Sequence, residues 1–142
     1  QFYYDCDRLG MVVFQDMVNN GGYSFLRDTA LPTVGLKRRN DRRMHRNKET
    51  REAFLQAMET TVRQLENHPC ICYWTIFNEG WGQFDAERIV KEMRAIDSTR
   101  LIDHASGWFD QGAGDFRSVH NYFRKLKTEP EANRAFVISE YF

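Results

Sequence analysis

Short apolar runs and helically spaced apolar stripes alternate along the chain, a pattern that predicts strands separated by helices or connectors. Phe2, Cys6 and Leu9 recur at helical spacing with Gly10 in the stop position, so residues 1 to 9 read as the end of a helix. Met11-Val-Val-Phe-Gln15 is a continuous run carrying β-branched residues, which suits a strand covered on both faces, and it closes at Asp16. Residues 17 to 47 sustain no period and predict a long excursion with at most short helical turns. From Lys48 to Glu66 the positions Phe54, Met58, Val62 and Leu65 fall on one helical stripe, and Asn67-His-Pro69 stops it. Ile71 to Phe77 reads as a second covered strand ending in Asn78-Glu79-Gly80. Asp85 stands where a helix cap is expected, with Phe84 and Ile89 as the staple pair and Ile89, Met93 and Ile96 as the buried stripe.

The last third is richer in strands. Leu101-Ile-Asp-His104 predicts a short third strand, Gly107 to Gly114 a loop, Ser118-Val-His-Asn-Tyr122 a fourth strand and Lys125 to Asn133 a charged connector. Phe136-Val-Ile-Ser139 predicts a fifth strand running into Glu140. Strands alternating with helices or connectors imply βα units and a parallel sheet, an α/β fold.

Composition acts mainly by exclusion. The 142 residues, 42% hydrophobic and 14% aromatic, suffice for one domain, and three Cys are too few for a disulfide-held scaffold. Cys70 and Cys72, two apart on a strand, are expected to pack on one face as small hydrophobes. Lys+Arg and Asp+Glu balance at 20 each, so no global charge draws the chain to nucleic acid or membrane, and neither is expected as a partner. No apolar run approaches the roughly 20 residues of a membrane span. The basic run Lys37, Arg38, Arg39, Arg42, Arg43, Arg46 and Lys48 leaves the remainder acidic. It reads as a solvated loop or an intramolecular partner for acidic surface, with a phosphate-binding patch as the alternative.

Polar residues able to do chemistry recur at the carboxyl ends of the predicted strands: Asp16, Asn78-Glu79, Asp103-His104, His120 with Tyr122, and Glu140. In parallel α/β architectures that rim is where ligands bind. Strands reaching water must also end in polar residues, which alone would account for Asp16 and Asp103. Two carboxylates on separate strands suit a general acid and a nucleophile or base, as in glycoside hydrolysis.

The segment Asn67-His-Pro-Cys-Ile-Cys-Tyr-Trp-Thr-Ile-Phe-Asn-Glu-Gly-Trp-Gly-Gln83 resembles the acid/base signature of glycoside hydrolase family 2, the group holding β-galactosidases, β-glucuronidases and β-mannosidases. Its neighbours agree in order: Tyr4-Asp-Cys-Asp-Arg-Leu-Gly-Met-Val-Val-Phe-Gln-Asp16 is similar to the passage before the catalytic strands, Asp97-Ser-Thr-Arg-Leu101 to the entry of the next strand, and Phe136-Val-Ile-Ser-Glu-Tyr141 to the nucleophile strand.

The resemblance implies a partial (β/α)8 barrel, residues 1–142 forming a fragment of one catalytic domain from the helix before the third strand to the end of the seventh. It implies Glu79 as acid/base, Glu140 as nucleophile, Asn78 on the sugar 2-hydroxyl, Tyr122 orienting Glu140, and His120 in the same subsite. Asp16, Trp81, Asp103 and Trp108 would be further substrate-binding residues. The implied reaction is retaining double displacement on a β-glycoside and needs no cofactor. Some relatives use a metal near the site, but the sequence offers no set of residues to assign to one. An open piece of barrel is expected to self-associate through its strand edges. A carbohydrate-binding or scaffold domain without catalysis is the alternative from another class.

Overall fold

The computed structural model describes residues 1–19, 23–36, 40–122, 125 and 127–142. Helix α1 (Phe2–Leu9) leads into β1 (Val13–Asp16). The excursion holds a π-helical turn at Phe25–Ala30, the short α2 (Leu31–Thr33) and a 3-10 turn at Asp41–Arg43. Then come α3 (Lys48–Leu65), β2 (Ile71–Thr75), α4 (Ala86–Ile96), β3 (Leu101–Asp103), β4 (Phe116–Asn121) and β5 (Ala135–Tyr141). The expected order of strands and helices is present, and the Lys125 to Asn133 connector contains no helix among its described residues. Asn20 to Gly22 and Lys37 to Arg39 lie outside the described residues.

Among the described residues all strand pairing is parallel, in a three-stranded sheet of order β1-β2-β3 and a pair β4-β5. The fold is thus α/β with parallel strands, and the described strands form no closed barrel. Asp115, just ahead of β4, links the two sheets. Its carboxylate accepts from Ile102 N–H at 2.7 Å and from Arg94 at 2.7 Å, and its own N–H donates to Ile102 at 2.8 Å.

The stripe predicted for α3 is the one that is buried: Phe54, Met58, Val62 and Leu65 join Ile89 and Met93 of α4 over Trp74, Ile76, Phe77 and Ile102. Gly10 ends α1 with φ 66, donating to Asp7 while Met11 N–H donates to Cys6, the paired bonds of a Schellman stop. Of the α1 stripe only Cys6 is buried; Phe2 and Leu9 are exposed.

Three sequence expectations change. The first strand is not covered on both faces: Phe14 in β1 and Met11 and Val12 ahead of it are exposed, because no further strand or helix lies over them among the described residues. Cys70 and Cys72 do not share a face: Cys70 is buried and Cys72 exposed. The register steps from Val13↔Ile71 to Phe14↔Tyr73, leaving Cys72 as the extra residue of a β-bulge, so alternation breaks there. Ile71 and Trp74 both turn to the helices, while Tyr73 stacks on Phe14 at 4.2 Å. Nor does Asp85 cap α4. Its backbone is left-handed, φ 41, and its carboxylate meets Arg88 at 2.9 Å. The cap comes from Asp41, buried far upstream, which accepts from Ala86 N–H at 3.0 Å and Gln83 Nε2 at 2.9 Å. The one acid inside the basic run is therefore structural, and Arg42 beside it pairs with Glu87.

Asp97 and Arg100 hold the lower ends of these elements together. Asp97 accepts from Trp74 Nε1 at 2.9 Å, from Arg100 at 2.8 Å and from the Thr99 hydroxyl at 2.6 Å, while Arg100 also donates to the carbonyls of Glu66, His68 and Ile71. Burial alone would raise this carboxyl, but the Thr99, Trp74 and Arg100 bonds outweigh it and hold it well below the usual carboxylate range.

Replacing Asp41 by Ala should cost about 2 kcal/mol, from a lost cap and an under-satisfied buried amide, whereas Asp85→Asn should cost ~0.5 kcal/mol; urea midpoints at unchanged slope measure both. Because the folded-state pKa of Asp97 is depressed, its stabilisation is complete above the unfolded value and fades as pH falls through the folded one. Asp97→Asn should therefore lose roughly 3 kcal/mol at neutral pH. Urea titrations should show that gap narrowing steadily below about pH 4.

Candidate active site

At the carboxyl end of β2 the chain leaves the sheet in stages. Asn78 bridges to Ser106, whose hydroxyl donates to Asn78 Oδ1 at 2.6 Å, and Glu79 N–H donates to the Ser106 carbonyl at 2.9 Å. Glu79 itself then adopts φ 52, a left-handed conformation that a residue with a Cβ takes only when its surroundings enforce it. Gly80 follows at φ 69, and a Cβ there would lie 2.1 Å from the Phe109 ring, so only glycine fits.

On the other side, β4 and β5 slip by one residue: Val119 pairs with Ile138 but His120 pairs with Glu140. Ser139 is the extra residue of this second bulge, and its hydroxyl lies 2.7 Å from that of Ser118. Bulges beside a site re-aim a side chain. Here the slip gives Glu140 the face of its buried partner His120 rather than that of Asn121.

The two strand ends meet at Tyr122. Its hydroxyl donates to Glu79 Oε1 at 2.8 Å and makes a very short contact with Glu140 Oε2. His120 Nδ1 lies 3.0 Å from Glu79 Oε1, 3.1 Å from the Tyr122 hydroxyl and 3.8 Å from Glu140 Oε2. Burial first, and then the bonds to Glu140 and Glu79, raise the Tyr122 pKa above the ordinary tyrosine range, which keeps it an O–H donor. The Glu79 side chain is 14% exposed and that of Glu140 40%.

The other residues singled out in the sequence lie around this centre at differing depth. Asp103 is buried; loss of hydration raises its carboxyl, partly offset by the Ser118 hydroxyl and the charges of His104 and His120. Asp16 is exposed at the end of β1. Its carboxyl is also raised, by lost hydration and, after an opposing bond from Thr75, by the charge of Glu140. Burial together with Asp103 and Asp16 pushes Tyr73 up to about 12, so Tyr73, Asp103, Asp16 and Glu140 share one electrostatic environment. Trp81 is exposed at the rim, against Tyr23. Trp108 is 4% exposed and lines a cleft of about 420 Å³ with Asp110, Arg117, Glu129 and Glu131, a lining that includes neither Glu79 nor Glu140.

Gly107 and Ser106 escape a reading by chemistry. A Cβ on Gly107, at φ 83, would fall 2.4 Å from the His120 ring, so this glycine lets the imidazole lie against the loop backbone. Its only sequence signal is that it opens a glycine-rich loop.

Among the described residues, Glu79, His120 and Glu140 are the group with donor atoms close enough to share a metal ion, all within 4.8 Å of one another. The Tyr122 hydroxyl already contacts the same three atoms, an arrangement suited to holding and moving a proton. No helix is long and apolar enough to cross a membrane among the described residues.

The model of glycosyl hydrolases family 2, TIM barrel domain, matches residues 1–141. The chain belongs to that family. No curated protein matches it. Family 2 membership carries glycosidase-type hydrolysis and a carbohydrate substrate, and it agrees with the two carboxylates on parallel-strand ends.

Gly107→Ala should displace the His120 ring and cost about 1 to 3 kcal/mol, read as a lower urea midpoint, with loss of the His120 to Glu79 contact visible as a change in the imidazole NMR signals.

Proposed function

We propose that this family 2 chain is the catalytic part of a retaining β-glycoside hydrolase, with Glu79 as general acid/base and Glu140 as nucleophile. The single observation supporting it most is the approach of the Glu79 and Glu140 carboxylate oxygens to within 4.8 Å. Retaining pairs stand about 5 to 5.5 Å apart, and inverting pairs about 6.5 to 9.5 Å, to admit a water.

In this reading Glu140 attacks the anomeric carbon while Glu79 gives its proton to the departing oxygen. Glu79 then takes a proton from water, which displaces Glu140 and releases the sugar with its configuration retained. Glu79 is the more enclosed of the two, its side chain 14% exposed against 40% for Glu140, an asymmetry that suits an acid and an attacking group respectively. Tyr122 and His120 hold both carboxyls in line, Asn78 meets the 2-hydroxyl, Asp16 and Asp103 contribute to the sugar subsite, Trp81 stands at its rim, and the buried Trp108 supports its wall from behind. Galactosides and glucuronides are the sugars to test first. The five strands correspond to the third to seventh of a (β/α)8 barrel. The open edges of β1 and β5 pair with further barrel strands, or with a second copy when the chain is isolated.

In the full-length protein, Glu79→Gln and Glu140→Gln should each lower kcat/KM on an aryl β-glycoside by roughly 10²- to 10⁴-fold or more at unchanged fold. Proton NMR of the first-formed product should show the β-anomer. An α-anomer, or full activity in either variant, would sink the assignment, and a protein without turnover on any aryl β-glycoside would point to carbohydrate binding alone.

A further inference from the structure

The rim carries an aromatic wall that the scheme above does not use as a unit. Trp81 follows Glu79 by two residues, between Gly80 at φ 69 and Gly82 at φ 70, with its N–H fixed on the Asn78 carbonyl at 3.0 Å. The Tyr23 ring meets it edge to face, centroids 5.1 Å apart and planes at 65°. Tyr23 comes from the excursion after β1 and is itself held by Thr29, whose hydroxyl lies 2.8 Å from its own. Both rings stay open, Trp81 at 37% and Tyr23 at 49% exposure, and Phe25 and Leu26 nearby in sequence are exposed at 67% and 62%. Folding ordinarily uses large rings by burying them. Two rings from separate elements, locked together yet left open beside a candidate acid, form a surface for stacking.

Sheet order says which part of a substrate would reach them. β1 lies on the far side of β2 from β3, so the loop carrying Tyr23 leaves the sheet beside the strand end that leads to Glu79, and its ring reaches Trp81. In double displacement the leaving group departs from the face opposite the nucleophile, its oxygen bonded to the proton of the acid. Whatever is attached to that oxygen therefore extends past Glu79 toward Trp81.

We infer that Tyr23 and Trp81 form the leaving-group subsite, selecting aglycones with a flat apolar face, an aryl ring or the C–H face of a second sugar. This rests on Glu79 being the acid. Such binding is realised as the glycosidic bond breaks only if the aglycone is held in place, so it enters kcat/KM for substrates that have a ring there and not for those that lack one.

The test uses three substrates of one sugar in the full-length protein: an aryl β-glycoside, a β-linked disaccharide and the β-glycosyl fluoride, whose leaving group has no ring. Trp81→Ala and Tyr23→Ala should each lower the kcat/KM ratio of a ring-bearing substrate to the fluoride by about 10-fold. A fall confined to the aryl arm assigns an aryl aglycone, and one confined to the disaccharide arm assigns a sugar. Equal losses on all three substrates, or no loss, overturn the inference. Should Trp81→Ala fail to fold, Tyr23→Ala at the exposed position and Trp81→Leu carry the measurement. Failure of the underlying reading looks different: Glu79→Gln should lower kcat/KM, which reports bond cleavage, far less for the fluoride than for the disaccharide, whose sugar leaves only when protonated, and equal falls in kcat/KM would remove Glu79 as acid whatever the two rings do.

Discussion

Two carboxyl groups from distant parts of the chain stand within 4.8 Å of each other, and a single phenolic hydroxyl contacts both. Tyr122 reaches both Glu79 and Glu140, and its raised pKa means that the proton stays where it is needed. His120 adds a second polar contact from behind, and Gly107 leaves room for it. Everything else in the fold can be understood as bringing β2 and β4 to the positions from which this one contact is possible. The left-handed backbone at Glu79, four residues past the end of β2, is part of the same constraint, since it sets the direction from which this side chain meets Tyr122.

The two bulges show how a regular parallel sheet is adjusted to that purpose. Strict alternation would place Glu140 on the face of Asn121, and inserting Ser139 moves it to the face of His120. The bulge at Cys72 lies in the three-stranded sheet, near the start of β2, turning Ile71 as well as Trp74 toward the helices. One residue of slip in each case decides which side of the sheet a side chain serves, and its cost is a locally broken ladder. The Ser118 and Ser139 hydroxyls occupy each other at the second break, which removes one polar liability there.

Support from outside the sheet comes from a buried acid at each of two points. Asp97 with Arg100 closes the amino ends of β2 and β3 against the ends of α3 and α4, and Asp41 caps α4 from the far side of the excursion. Both acids are satisfied by several donors, the condition under which a buried carboxylate stabilises rather than weakens a fold. They fix the frame at opposite ends of α4 while the rim above it carries the chemistry.

Strands, helices and the chemical character of the rim were legible in the amino-acid order because they depend on short-range periodicity. Phe54, Met58, Val62 and Leu65 could be assigned to a buried stripe by spacing alone, and Asn78-Glu79 and Glu140 stood out because carboxylates at strand ends are chemically conspicuous. Three things were decided only in three dimensions: that Asp41 and not Asp85 caps α4, that Cys70 and Cys72 part company, and that Tyr122 bridges the two glutamates. Each turns on a hydrogen bond between residues far apart in the chain or on a one-residue slip in register, and neither leaves a trace in local pattern. Periodicity along a chain records which face a residue prefers. Which atom it finally meets is set by how separate elements dock.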